Sequence, residues 1–182
     1  MVFSSGVFLF LFLPIVLAVY YICPGKLRNT VLFVFSLIFY AWGEPIYVGI
    51  MIFSTAFDYC NGMLIETFRK KHNEKICKIV IIMSVVVNLG ILAFFKYTDF
   101  VITNINNLLQ IALPIGISFY TFQTLSYTID VYLGKVKVQH NIINFGMYVS
   151  MFPQLIAGPI VRYSDVENQI ARRNENIDDI AN

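Results

Sequence analysis

The chain has 182 residues, 58% of them hydrophobic and only 13% charged, with a mean hydropathy of +0.70 and a formal net charge of +2. A soluble domain carries about 25% charged and about 45–50% apolar residues, so the composition excludes an ordinary soluble globule and points to an integral membrane protein. The small net charge gives no ground for a nucleic-acid partner, and the lipid bilayer is the partner the composition implies.

The first stretch, "MVFSSGVFLFLFLPIVLAVYYIC", has no basic leader and no small-residue cleavage site. Its apolar run exceeds the roughly 7–15 residues of a signal-peptide core, so it reads as a retained span over about 5–23. A second segment, about 29–42, ends at Gly43-Glu44-Pro45, where Gly and Pro punctuate and the residue before Pro disfavours helix. The apolar pattern resumes over about 46–66, which predicts a helical hairpin. Tyr40, Trp42 and Tyr47 flank its turn like an interfacial aromatic belt. The third segment carries Asp58 and, three residues later on the same face, Asn61. Asp58 is read as hydrogen-bonding helix to helix or as serving a proton or substrate role, with no Lys or Arg inside a span near it unless Lys96 reaches back.

A fourth segment spans about 77–97 and a fifth about 112–132. On a helical wheel of the fifth, Gln123, Ser126, Tyr127 and Asp130 share one arc, flanked by Thr121, Thr124 and Thr128. Phe122, Leu125, Ile129 and Tyr132 are placed on the opposite, lipid-compatible side. The hydroxyl residues suit helix packing, whereas Gln123 is harder to explain that way and Asp130 suits either a structural anchor near the cytoplasmic end or the lining of a cavity. The sixth segment, about 142–160, contains Pro153 and ends in Gly158-Pro159, with Arg162 just beyond. A proline inside a helix removes a hydrogen bond at a cost of about 3 kcal/mol. Broken backbone at membrane depth persists only against protein or a water-filled cavity, so this segment is expected to be kinked or re-entrant. The candidate path-lining residues are thus Gln123, Ser126, Tyr127, Asp130, Pro153, Gly158, Pro159 and Arg162.

Basic residues set the orientation. "PGKLR", near 24–29, and "RKKHNEKICK", near 69–78, both belong in the cytoplasm if the N-terminus lies outside, and "GKVKVQH" after the fifth segment agrees. The predicted fold is an all-α, polytopic helical membrane protein of about five to six segments: a membrane domain over 1–160 and a polar tail over 161–182. In the tail, Ser164 and Glu167 have capping-box spacing for a short amphipathic helix. Cys60 is expected to be a buried small hydrophobe, while Cys23 and Cys77 sit near span ends where lipidation is chemically open. Neither His72 nor His140 has a nucleophile or carboxylate at catalytic spacing, and there is no metal motif, phosphate loop or nucleophile elbow. No catalytic or metal-binding residue is assigned.

Five stretches in order, "VFSSGVFLFLFLPIVLAVYY", "FYAWGEPIYV", "FFKYTDF", "LPIGISFYTFQTLSYTIDVYLGK" and "FPQLIAGPIVRY", resemble the N-terminal part of the membrane-bound O-acyltransferase family. The likeness is to the bacterial branch that acetylates alginate and related cell-surface polysaccharides. It implies transfer of an acyl group, acetyl above all, from a cytoplasmic thioester such as acetyl-CoA to hydroxyls of an extracytoplasmic polysaccharide. A buried histidine serves as general base, cell-envelope acetylation proteins are partners, and no cofactor stays bound. In the family that histidine lies downstream of the stretch matching "AGPIVRY", so the chain is expected to be an N-terminal fragment, inactive alone. Leu133 stands where the family often has arginine. A membrane transporter and a non-catalytic scaffold subunit are the competing expectations, the first because discontinuous helices with polar cores also build transport sites.

Overall fold

A computed structural model describes residues 6–25, 27–45, 47–105, 116–157 and 161–171, with the side chains at 98–105, 156–157, 168 and 171 excepted. All regular structure among the described residues is helical. A π-turn at Phe8–Phe12 leads into α1 (Leu13–Ile22), followed by α2 (Arg28–Gly43), α3 (Val48–Lys70), α4 (Glu74–Ile105), α5 (Ile117–Leu133), α6 (Ile142–Ser150), α7 (Phe152–Ala157) and α8 (Tyr163–Ala171). Two of these, α3 and α4 as far as Tyr97, are long and apolar enough to cross a membrane. At 1.5 Å per residue, the 23 residues of α3 reach about 35 Å, against a hydrocarbon core of about 30 Å. The architecture is that of an all-α membrane protein.

Local sequence explains the ends. Helix α3 closes with Arg69 and Lys70 in its last turn, where cations complement the helix dipole. His72 then adopts a left-handed φ of 53° and Asn73 N–H bonds back to the Phe68 carbonyl at 3.0 Å, so the basic turn into α4 is tight. Helix α2 stops at Gly43, before Pro45, as the sequence pattern requires. Asn141 caps α6 by accepting from Ile143 N–H at 2.9 Å.

Helices α3, α4 and α5 pack mutually, while α2 packs chiefly on α6 and α5 also meets α6, α7 and α8. A first core gathers Tyr120, Tyr127, Phe145, Tyr148 and Tyr163. A second joins Phe8, Phe12, Phe39 and Phe152, whose rings lie 5.3–5.9 Å apart, half of the pairs edge-on. It clips α7 to the N-terminal segment and α2.

Several expectations are corrected. Tyr40 is buried in the first core rather than placed at an interface, whereas Trp42 does face outward. Cys60 is exposed, because it falls on the face of α3 opposite the α4 and α5 contacts. Cys77 is buried against the Ile65 carbonyl, which removes it from lipidation. Helix α8 starts at Tyr163, so Ser164 lies inside it and donates to Asp165 instead of forming the capping box.

Gly116 sits at the head of α5 with φ +81°, and an added Cβ would lie 2.7 Å from Leu155 Cδ2 and 3.2 Å from the Leu155 carbonyl oxygen on α7. Both conformation and contact require glycine there. Gly116→Ala should destabilise the protein by about 1–3 kcal/mol. Gly90→Ala, with nothing within 4 Å of the new methyl, should be neutral or stabilising by up to about 1 kcal/mol. Unfolding in mixed micelles measures both; equal midpoints for the two variants would refute the close α5–α7 contact.

Candidate functional site

The broken segment lies where α5, α6, α7 and α8 meet. Helix α6 has nine residues, about 13 Å. It stops because Met151 leaves helical geometry at φ −55°, ψ 113°. Pro153 does not kink a continuing helix; it is the second residue of α7, where a missing N–H is tolerated. Gln139 Nε2, in the loop before α6, donates to the Tyr163 hydroxyl at 3.0 Å, and Asn29 Nδ2 donates to both Asn144 Oδ1 and the Ile170 carbonyl. The segment therefore begins and ends at one end of the bundle.

Ending a helix leaves its last carbonyls without helical partners. Gln123 on α5 supplies one: its Nε2 donates to the Tyr148 carbonyl at 2.9 Å and to Gln154 Oε1 at 3.1 Å. One buried carboxamide thus joins α5 to both halves of the break. Tyr148 and Gln154 also line a cavity of about 150 Å³ between α6, α7 and α8, together with Met147, Met151, Val166 and Ile170. The Tyr148 hydroxyl donates to the Val161 carbonyl at 2.9 Å, and its ring stands edge-on to Tyr163. Burial pushes the Tyr163 phenol above its ordinary value, against the opposing Gln139 hydrogen bond, so it is neutral at physiological pH. Among the described residues the cavity wall combines apolar side chains with the Gln154 and Gln169 carboxamides and the Tyr148 phenol.

The other predicted residues fall as follows. Ser126 is half-buried and bonds back to the Gln123 carbonyl at 2.9 Å. Tyr127 is fully buried, accepts from Gln139 N–H at 3.0 Å and packs on Phe145 and Tyr163. Asp130 is buried in the last turns of α5, beside Tyr148. Arg162 is exposed and its carbonyl accepts from Asp165 N–H. Gly158 and Pro159 lie outside the described residues. The lipid stripe predicted for α5 is corrected: Phe119, Phe122 and Leu133 are exposed with Ser126 and Ile129 half-exposed among them, while Leu125 is buried. The outward stripe thus adjoins the polar arc instead of opposing it, because α5 is enclosed on its remaining faces.

Sequence reasoning missed Gln139, Tyr148, Gln154 and Glu66. Glu66 Oε2 lies 3.4 Å from His140 Nε2, and its other oxygen binds Lys70 at 2.7 Å. This gives His140 a carboxylate neighbour, yet at the surface and with no nucleophile. Gln123→Leu leaves the Tyr148 carbonyl and Gln154 without their donor, which should cost about 1–3 kcal/mol and speed proteolysis between α6 and α7. Unchanged cleavage and stability would show that the bridge does not hold the break.

No family model and no solved structure matches the chain. Curated relatives do. A probable alginate O-acetylase of Pseudomonas aeruginosa is 40% identical over all of this chain and 36% of its own length. That of Azotobacter vinelandii is 38% identical over all of the chain and 38% of its own length. A peptidoglycan O-acetyltransferase of Helicobacter pylori is 29% identical over 96% of the chain and 39% of its own length. The chain spans little more than a third of the length of these relatives. From end to end, then, it is a relative of the bacterial O-acetylases, the branch of the membrane-bound O-acyltransferase family that its motifs resemble.

Proposed function

We propose that these residues form part of the membrane-embedded wall of an O-acetyltransferase. The enzyme transfers an acetyl group from a cytoplasmic thioester, such as acetyl-CoA, to hydroxyls of an extracytoplasmic polysaccharide. The similarity to O-acetylases along the whole chain carries this reading. The broken α6–α7 segment, bridged by Gln123 and bordering the cavity, supports it physically. Irregular backbone in a bilayer must be covered by protein or line a watered space, and a path for a polar acyl donor needs such a space. Asp130 and Tyr127 extend the polar wall along α5, and Ser126 borders it on the outward side. His72 and His140 are both exposed, so the general base is expected from residues other than these two. Envelope acetylation proteins that hand on the acyl group are the partners this reaction calls for.

The orientation proposed places the N-terminus outside and the loops near 24–29 and 69–78 in the cytoplasm. Two basic loops share one end of the bundle, which supports this. The Arg69 guanidinium at the end of α3 donates to the Tyr132 carbonyl at the end of α5, and the Tyr59 hydroxyl donates to the His140 carbonyl at 2.6 Å. Lys71, Lys75, Lys78, Lys135 and Lys137 are exposed near these contacts, where positive charge keeps a loop on the cytoplasmic side.

Two measurements test the proposal. In the whole protein with Cys23, Cys60 and Cys77 replaced, Gln154→Cys should react with a water-soluble thiol reagent and lose acetyl transfer on labelling. Phe122→Cys, facing lipid, should react slowly and keep its activity. Equal labelling at both positions, or labelling at 154 without loss of transfer, contradicts a watered path along the cavity. A reporter inserted in the 69–78 loop should read cytoplasmic; an external reading overturns the orientation.

A further inference from the structure

The seam of α3, α4 and α5 holds a second polar cluster, on a different face of α5 from Gln123 and independent of the acyl-transfer reading. Asp58 lies at its centre and is fully buried. Ser84 Oγ donates to Asp58 Oδ1 at 2.6 Å and Asn88 Nδ2 to Oδ2 at 2.8 Å. Asn88 Oδ1 accepts from Ser54 Oγ at 3.1 Å. Thr124 of α5 and Asn61 of α3 flank the carboxyl. Each of these neighbours is at most 1% exposed. The groups that face Asp58 from all three helices are hydroxyls and carboxamides, which carry no charge and do not titrate.

No cation of the described chain balances this carboxyl. Lys96 does not reach back; it is exposed, as are the other described lysines, Arg69 and Arg162. The Arg28 guanidinium lies 5.1 Å from the centre of the Tyr20 ring, at the far end of α1 and the start of α2. A charge inside a membrane is costly unless a second charge meets it. Two neutral donors orient the carboxylate without cancelling its charge.

Asn61 adds an independent observation. Its Nδ2 is buried and has no hydrogen-bond partner, although it stands beside an acceptor. Turned over, the same amide presents a carbonyl oxygen to the cluster. With the Asp58 carboxylate and the Ser84 and Thr124 hydroxyls it offers oxygen donors from all three helices, the donor type that hard cations select. One carboxylate balances one positive charge.

From this geometry we infer that the Asp58 cluster is a binding site for a single monovalent cation, either sodium or a proton. The test uses the chain in lipid nanodiscs, with thermal unfolding in sodium chloride against choline chloride at equal ionic strength, and infrared spectra of the same samples. If sodium is the occupant, the midpoint rises with the logarithm of sodium concentration, and Asp58→Asn abolishes the rise. If a proton is the occupant, sodium has no effect and the spectrum contains a carboxylic-acid C=O stretch that Asp58→Asn removes. A sodium response that survives in Asp58→Asn overturns the inference, and so does an ionised carboxylate band with no sodium response. Should Asp58→Asn fail to fold, Ser84→Ala keeps the carboxyl and removes the oxygen that lies 2.6 Å from it. It should move a sodium response to higher concentration, or shift the acid stretch in the proton case; an unmoved sodium response or an unshifted stretch counts against the site.

Discussion

A helix that stops among packed neighbours leaves its last carbonyl groups in need of partners, and the arrangement around α6 and α7 follows from meeting that demand. Gln123 reaches from α5 to the Tyr148 carbonyl and on to Gln154. For the reach to work, α7 must lie against the head of α5, which Gly116 permits by having no side chain to strike Leu155. Phe152 fixes the other side of α7 among Phe8, Phe12 and Phe39. The break is therefore held by one polar tie and one aromatic clip of different physical character. The tie is directional and sets the backbone of α6; the clip is non-directional and sets the position of α7.

Helix α5 is the member that all of this rests on. Its Gln123 face meets the broken segment, its threonine face meets the Asp58 seam of α3 and α4, and Tyr127 packs between Gly62, Phe145 and Tyr163. Only a narrow stripe through Phe119, Phe122 and Leu133 is left outward. Thr124 and Thr128 return their hydroxyls to the carbonyls of Thr121 and Thr124, which satisfies them without neighbours and lets other helices approach closely. The helix is polar because it is central.

How much of this was legible in the sequence depends on the medium. Helices α2, α3 and α5 fall close to their predicted limits, because apolar length and Gly/Pro punctuation are local properties. The inward and outward faces of α5 were harder to read. In water, apolar means buried; in lipid, a leucine packed on protein and a leucine packed on acyl chains look alike. Leu125 and Tyr40 were misplaced on that account, and Cys60 in the opposite sense. The partners of Gln123 and His140 were hidden for another reason. Gln154 is 31 residues from Gln123 and Glu66 is 74 from His140, and a single sequence carries no signal that joins them. The proline was read correctly as a break, but its place at the start of α7 depended on how Met151 turns the chain.

The aromatic clip also has a consequence for the order of assembly. Phe8 and Phe12 leave the ribosome first, yet Phe152 follows about 140 residues later. Until it arrives, the N-terminal segment has α2 as its main partner among the elements it touches in the finished bundle. The N-terminal segment is thus a half-built socket for most of synthesis, and α7 is the late plug that closes it.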